Sequence, residues 1–298
     1  MNVPDFPAIV TGLLCLSLAA VAAAPPRQAV VTRPVADMLS KPSKDADVVS
    51  QAICTTTVDL LAKHGAWVQV RTPDDYTGWV DKKAVRNLGA GSYPASQKVA
   101  QIESLRAHIY REPSVTKHAP LLTVPFEARL DVLREGAGSE KPGDEDRWIQ
   151  VRLPDGAPGW VQHGDVSLAP RTRDIPELVE FSRLFLGLPY TWGGASSFGY
   201  DCSGFTQMLC RRGGVNIPRD AQPQADWSGM TKVTRTELQP GDLLYFGASA
   251  DKITHTGFYL GGGQFIHATT NTHPVIQIGR LDDAPWTNLL VACRRWKK

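Results

Sequence analysis

An internal repeat constrains this chain more than any other feature. Trp67-Val68-Gln69-Val70-Arg71-Thr72-Pro73-Asp74 leads to Gly78-Trp79-Val80, and Trp148-Ile149-Gln150-Val151-Arg152-Leu153-Pro154-Asp155 leads to Gly159-Trp160-Val161. The copies stand 81 residues apart, and the Trp-to-Trp spacing is 12 positions in each. A second match, at offset 71, sets Ala36-Asp37-Met38-Leu39 against Ala107-His108-Ile109-Tyr110. The ten extra residues of the later copy fit a polar, Gly-rich insertion at 136–147. A period of this size means a duplicated small domain, not a solenoid. Each copy alternates apolar and polar residues in short runs broken by Pro, Gly and Asp, the pattern of β-hairpins. Several hairpins in about 60 residues predict a small barrel, with the Trp residues expected in its core.

The pattern and its closing Gly-Trp-Val resemble bacterial SH3 domains, over 29–89 and 97–169, with linkers at 88–96 and 170–174. Beyond them the chain changes character. Leu178, Val179, Phe181, Phe185 and Leu186 recur at helical spacing over 176–187, and Gly187 can end that helix. Phe205, Met208 and Leu209 repeat the pattern before Gly213-Gly214. After Pro240-Gly241 the period shortens, predicting strands at 242–246, 254–260, 264–268, 275–278 and 289–295. Helices followed by an antiparallel sheet are an α+β layout, here at 172–298.

Chemistry gathers in this last part. Cys202 opens a helix, whose positive N-terminal end favours an anionic sulfur. Backbone N–H groups at the same end can hold an oxyanion. A nucleophile needs a base, and the base needs an orienter. His255 and His267 flank Gly261-Gly262-Gly263, so a hairpin would bring them directly or diagonally opposite on one face. One ring would then fix the tautomer of the other. A Cys with two His could also hold a metal, but no fourth ligand stands at a recognisable spacing, and no cofactor is expected. His64, His108, His118, His163 and His273 lack comparable context.

Leu188-Pro189-Tyr190-Thr191-Trp192-Gly193-Gly194 and Asp201-Cys202-Ser203-Gly204-Phe205 resemble the NlpC/p60 family of cell-wall cysteine peptidases. So do Pro240-Gly241-Asp242-Leu243, His255-Thr256-Gly257-Phe258-Tyr259-Leu260-Gly261 and Phe265-Ile266-His267-Ala268. With two SH3-like barrels in front, the layout is similar to γ-D-glutamyl-diamino acid endopeptidases. The resemblance implies an α+β papain-like catalytic domain preceded by two small all-β SH3-like barrels. It also implies cleavage of murein peptides between D-glutamate and diaminopimelate or lysine. Position by position it makes Cys202 the nucleophile, His255 the base and His267 its orienter, with Tyr190, Asp201 and Ser203 lining the cleft. Asp220 would hold the free amine of the substrate, as a carboxylate in a narrow cleft favours an ammonium. Asp47 and Tyr76 are the candidates for a wall supplied by the first barrel. Two positions depart from the pattern: Ala221 follows Asp220 where a hydroxyl is expected, and Cys54 falls where turn residues such as Gly are common. The alternatives are the same chemistry on the intact wall, a related Cys/His amidase or acyltransferase, or a non-catalytic wall-binding protein.

Composition sets the remaining bounds. The 298 residues carry 32 basic and 30 acidic side chains, net +2, with no run of Lys or Arg to bind nucleic acid. Residues 9–24 are apolar and uncharged and end in Ala-rich sequence before Pro25-Pro26. That reads as a signal peptide at 1–24, shorter than a membrane span, with periplasmic export and no stable membrane insertion after its removal. Of the five cysteines, Cys15 lies in that leader. One disulfide among Cys54, Cys210 and Cys293 is allowed by the spacing, and no pairing is favoured. Oligomeric state is left open.

Overall fold

The computed structural model describes residues 27–136 and 147–297. The leader read at 1–24 and nearly all of the insertion read at 136–147 lie outside the described residues.

The first barrel has seven strands: β1 (Arg27–Val31), β2 (Val35–Leu39), β3 (Val48–Ile53), β4 (Thr57–His64), β5 (Trp67–Arg71), β6 (Thr77–Asp81) and β7 (Val85–Asn87). Their order in the sheet is β3-β2-β6-β5-β4-β1-β7. The second unit follows with β8 (Val99–Ile102), β9 (Arg106–Ile109), β10 (Leu122–Pro125), β11 (Arg129–Glu135), β12 (Trp148–Arg152), β13 (Pro158–Gln162) and β14 (Val166–Ser167). It forms a β13-β12-β11-β8-β14 sheet and a β10-β9 pair. A bridge between Tyr110 and Trp160 joins them, giving β10-β9-β13-β12-β11-β8-β14. Adding seven to each label of the first barrel reproduces this order, so the repeat is a duplication of topology as well as of sequence.

The repeated glycines have a steric cause. A Cβ on Gly78 would lie 2.8 Å from Cβ of Met38, and one on Gly159 would lie 2.5 Å from Cγ2 of Ile109. Met38 and Ile109 are the equivalent residues of β2 and β9, which cross closely there. The valines between fill the cores: Val68, Val70 and Val80 in the first, Val151 and Val161 in the second. The Trp expectation is corrected. Only Trp148 is fully buried, against Tyr110 at 5.5 Å, while Trp67, Trp79 and Trp160 lie half-buried on outer faces. Strand alternation assigns the valines inward, and their neighbours follow outward.

The barrels do not swing freely. Cys54, in the turn after β3, inserts into the second barrel's core. The next residue, Thr55, has φ 75° and accepts a hydrogen bond from the Arg129 amide at 2.8 Å. Tyr93 donates to the Arg152 carbonyl at 2.7 Å. The Asp131 carboxylate receives the amides of Ala95 and Ser96, strapping the connection down.

The last unit begins with α1 (Ile175–Arg183), started by a capping box between Asp174 and Glu177. The short pair β15 (Ala195–Ser196) and β16 (Gly199–Tyr200) precedes α2 (Cys202–Arg212) and α3 (Ala221–Asp226). Then come β17 (Met230–Val233), β18 (Leu243–Ser249), β19 (Lys252–Gly261), β20 (Gln264–Thr269), β21 (Val275–Arg280), the short α4 (Trp286–Leu289) and β22 (Leu290–Trp296). The sheet runs β17-β22-β18-β19-β20-β21. Residues such as Phe205, Met208, Leu243, Phe258 and Ile266 form the core between α2 and the sheet.

Both barrels pack on this unit. Phe126, from the second, enters its core against Phe181 and Phe185 at 5.6 Å each. Glu103 pairs with both Arg173 and Arg212. The first barrel meets the loop before α2 through β3: Gln51 Oε1 accepts from the Ala195 amide at 3.1 Å and the Ser196 hydroxyl at 3.2 Å. A Cβ on Gly193 would sit 2.8 Å from Val48 Cγ1. A cavity of about 690 Å³ remains where the three units meet, lined in part by Ser50, Thr72, Asp74, Glu127 and Gln207. Cys202, His255 and His267 do not line it. Several of its polar groups are already paired, Gln207 with Asp74 and Arg211 with Glu127.

The four cysteines among the described residues are free and buried, so the disulfide allowed by the sequence is absent. Among those residues no helix is long and apolar enough to cross a membrane.

Candidate active site

Asp201 caps α2, its carboxylate accepting the Gly204 amide at 2.7 Å, which fixes Cys202 as the first helical residue. Gly204 is required here, because a Cβ would lie 2.2 Å from the Gly194 carbonyl. Cys202 is 8% exposed, and the backbone amides of Thr256 and Ser203 reach its sulfur. The expectation that the helix start ionises this thiol is not met in the free protein. Burial pushes the Cys202 thiol up to about 12, and the Asp201 carboxylate pushes the same way. The two amides and the Arg219 guanidinium oppose this.

The Thr256 contact places β19 against the nucleophile, and the residue before Thr256 is His255. The register Phe258–Ile266 and Tyr259–Phe265 sets Gly257 opposite His267, so His255 and His267 are a diagonal pair. Their rings meet, with Nε2 of His255 at 2.7 Å from Nδ1 of His267. Gly257 and Gly279 leave room for this. A Cβ on either would lie 2.7 Å from the Phe265 ring, and on Gly279 it would also come 3.3 Å from His267 Nε2. Trp286 completes the arrangement. It stacks on His255 at 5.1 Å and 28° and meets His267 edge-on at 4.7 Å. Sequence reasoning missed Trp286, which a four-residue helix delivers to the site with no periodicity to reveal it. Burial lowers the His255 pKa to about 4, and burial followed by the charge of His255 holds His267 well below the usual range. Both rings are therefore neutral at neutral pH. If His255 Nε2 donates to His267 Nδ1, then Nδ1 of His255 is left to accept a proton.

The other candidates divide. Tyr190 is half-buried and close enough to Cys202 and Asp201 for their charges to reinforce the rise in its pKa caused by burial. Tyr76 and Asp220, 144 residues apart, come together: the phenol donates to Asp220 Oδ2 at 3.1 Å. Burial, then the Asp220 charge, pushes Tyr76 up to about 12, so it stays a donor. Asp47 is exposed, one residue before β3, outside that bridge. Asp201 and Ser203 are buried, and their side chains are already hydrogen-bonded within the protein. The Asp201 oxygens serve Gly204 and a two-pronged contact with Arg219, at 3.0 and 2.6 Å. The Ser203 hydroxyl accepts from Arg219 at 3.0 Å. Arg219 was not singled out in the sequence, where it is one basic residue among many; its acceptors converge only in three dimensions. Among the described residues no three His, Cys, Asp or Glu side chains group as metal ligands.

The NlpC/P60 family model matches residues 187–295. A bacterial dipeptidyl-peptidase SH3 domain model matches 38–85, and a Gly-Trp dipeptide domain model matches 93–167, a range that holds Gly159-Trp160. The chain is similar to a γ-D-glutamyl-L-lysine dipeptidyl-peptidase of Bacillus cereus, 32% identical over 234 residues, covering 74% of this chain and 66% of the relative. A Bacillus subtilis protein of the same name is 29% identical over 261 residues, covering 84% of this chain and 82% of that one. In fold, the chain resembles a solved NlpC/P60 family protein from Bacillus cereus with TM-score 0.74 at 24% identity, over 90% of this chain and 99% of that one. Fold, motif order and these likenesses agree that the chain is a cysteine peptidase of the NlpC/P60 family, with two SH3-like barrels ahead of its papain-like domain.

Proposed function

We propose that this protein hydrolyses the bond between γ-D-glutamate and the diamino acid, diaminopimelate or L-lysine, of short murein peptides that carry a free N-terminal L-alanine. One observation carries the reading: Tyr76 of the first barrel bonds Asp220 beside the nucleophile's helix, so a carboxylate stands where a barrel borders the cleft. An anion held in place by that bond favours a substrate that offers a free ammonium over one whose L-alanine nitrogen is acylated by the glycan. The bridge thus supports short turnover peptides over the intact wall. The relatives' names point to the same bond. The apolar run at 9–24 supports export, and the substrate would then be met in the periplasm.

The chemistry follows from neutral resting partners. As the sulfur of Cys202 attacks the γ-glutamyl carbonyl carbon, His255 Nδ1 takes the thiol proton and His267 steadies the imidazolium through the 2.7 Å bond. Amides at the start of α2 face the developing oxyanion. Collapse breaks the C–N bond, and His255 returns the proton to the departing amine. Water, deprotonated by His255, then cleaves the thioester, releasing L-Ala-D-Glu and restoring the thiol. The burial of Cys202 and His267 strengthens the attraction between the thiolate and the imidazolium as the two charges form.

The test compares L-Ala-γ-D-Glu-meso-diaminopimelate with its N-acetyl form by mass spectrometry. The free amine should be cleaved at least about a hundredfold faster, a floor below the roughly 10⁴-fold or more by which a site built for a polar group rejects a substrate lacking it. Equal rates would refute amine recognition.

A further inference from the structure

Arg219 lies in the loop before α3 and is 2% exposed. A guanidinium has five N–H donors, and here each has an acceptor. Nε reaches Ser50 Oγ at 3.0 Å. Nη1 reaches Asp201 Oδ1 and Ser203 Oγ, both at 3.0 Å. Nη2 reaches Asp201 Oδ2 at 2.6 Å and the Gly194 carbonyl at 3.2 Å. Asp201 and Ser203 are the residues on either side of Cys202. Ser50 belongs to β3 of the first barrel, and the next residue, Gln51, holds the Ala195–Ser196 loop.

We propose that Arg219 is a positioning residue which clamps both neighbours of the nucleophile and ties them to the first barrel, so that a reactive thiol requires the barrel to be docked. Pairing with Asp201 alone would use two donors. The remaining three reach Ser203, Gly194 and another domain. With the barrel docked, loss of the Ser50 hydroxyl would leave Nε without its acceptor in a buried setting, a state that buried donors avoid. The adjacent residue, Asp220, is bonded by Tyr76 of the same barrel, so successive residues report barrel docking to the nucleophile and to the substrate end of the cleft. The cation also sits where its charge favours a thiolate, against burial and Asp201. This inference rests on Cys202 being the nucleophile, but not on the identity of the peptide.

The experiment measures alkylation of Cys202 by iodoacetamide across pH in the full chain, together with kcat, KM and the melting temperature, for the parent, Ser50→Ala, Ser50→Thr and Arg219→Lys. The charged or titratable groups near the thiol are Asp201, Arg219, Tyr190 and His255, and the Ser50 variants leave all four in place. Ser50→Ala should lower kcat about tenfold with KM within about twofold, as a buried donor loses its partner. It should also move the alkylation profile to higher pH. Ser50→Thr should restore both. Arg219→Lys keeps the charge without the fork, so it should hold the profile near the parent's while kcat falls. A Ser50→Ala variant that changes only its melting temperature would overturn the proposal. Alkylation needs no substrate, so an inactive peptide would fault the substrate assignment and leave the clamp judged by its own readout.

Discussion

The His255–His267 contact depends on the absence of a side chain at Gly257, and replacing that hydrogen by a methyl group is a sharp perturbation. In Gly257→Ala the new Cβ would lie 2.7 Å from Phe265 Cδ2 and 3.4 Å from His267 Cβ. Ordinary contact begins at 3.4 Å, so Phe265 must retreat by 3.4 − 2.7 = 0.7 Å. Phe265 is fully buried between Phe246 at 5.1 Å, Trp286 at 5.6 Å and His267 at 4.6 Å, and has nowhere to go without moving the dyad. Overpacking of this kind costs about 1–3 kcal/mol of stability. A displacement approaching 1 Å at an orienting group can cost about a hundredfold in rate. Gly257→Ala should therefore still fold, melt a few degrees lower, and lose about two orders of magnitude in kcat with KM little changed. Steady-state cleavage of L-Ala-γ-D-Glu-L-Lys, with a circular-dichroism melt on the same sample, reads both. A variant with parental kcat and parental melting temperature would refute the packing argument.

Further outcomes follow from other parts of the molecule. The His255 pKa is lowered from 6.5 to about 4 by burial, so below pH 6.5 the unfolded chain binds a proton that the native chain refuses. Stability should fall as pH drops from about 6.5 to about 4, by on the order of 3 kcal/mol from this residue. His255→Gln should flatten that part of a melting-temperature profile; an unaltered slope would contradict it. Asp220→Ala should raise KM for the free-amine peptide and leave the N-acetyl peptide unaffected, checked by initial rates. Cys54→Ser places a hydroxyl in the second barrel's core and should cost about 1–3 kcal/mol by chemical denaturation. Cys54, Cys202, Cys210 and Cys293 should all alkylate in denaturant without reductant, read by peptide mass mapping; protection of any pair would mean a disulfide.

Much of this was readable in the sequence where local periodicity is decisive. The expected strand at 264–268 is β20, Gln264–Thr269, and the helix opened by Cys202 ends at Arg212 as its pattern requires. The duplicated barrels were visible because the same side chains repeat at the same spacing. The strand order was not, since β2 keeps its hairpin partner β3 on one edge and pairs with β6 at Leu39–Trp79 on the other, a crossing that the close approach of Met38 to Gly78 allows. The expected helix at 176–187 stops at Arg183 because Gly187, at φ 82°, turns the chain so that its amide reaches the Ile276 carbonyl. At the site, the helix start at Cys202 and the diagonal pairing of His255 with His267 were legible from local pattern and hairpin geometry. Trp286 and Arg219 were not, as each acts through contacts with residues far away in sequence. The ionisation of Cys202 was misjudged for a related reason: a helix end can be seen in sequence, but the desolvation that outweighs it cannot.

The most direct measurement is an intact-mass and peptide-mapping analysis of enzyme quenched in acid during turnover of L-Ala-γ-D-Glu-L-Lys. Cys202 should carry the mass of an L-Ala-γ-D-Glu acyl group, and Cys202→Ala should show neither adduct nor cleavage. Undiminished cleavage by Cys202→Ala, or an acyl group on another residue, would contradict the account.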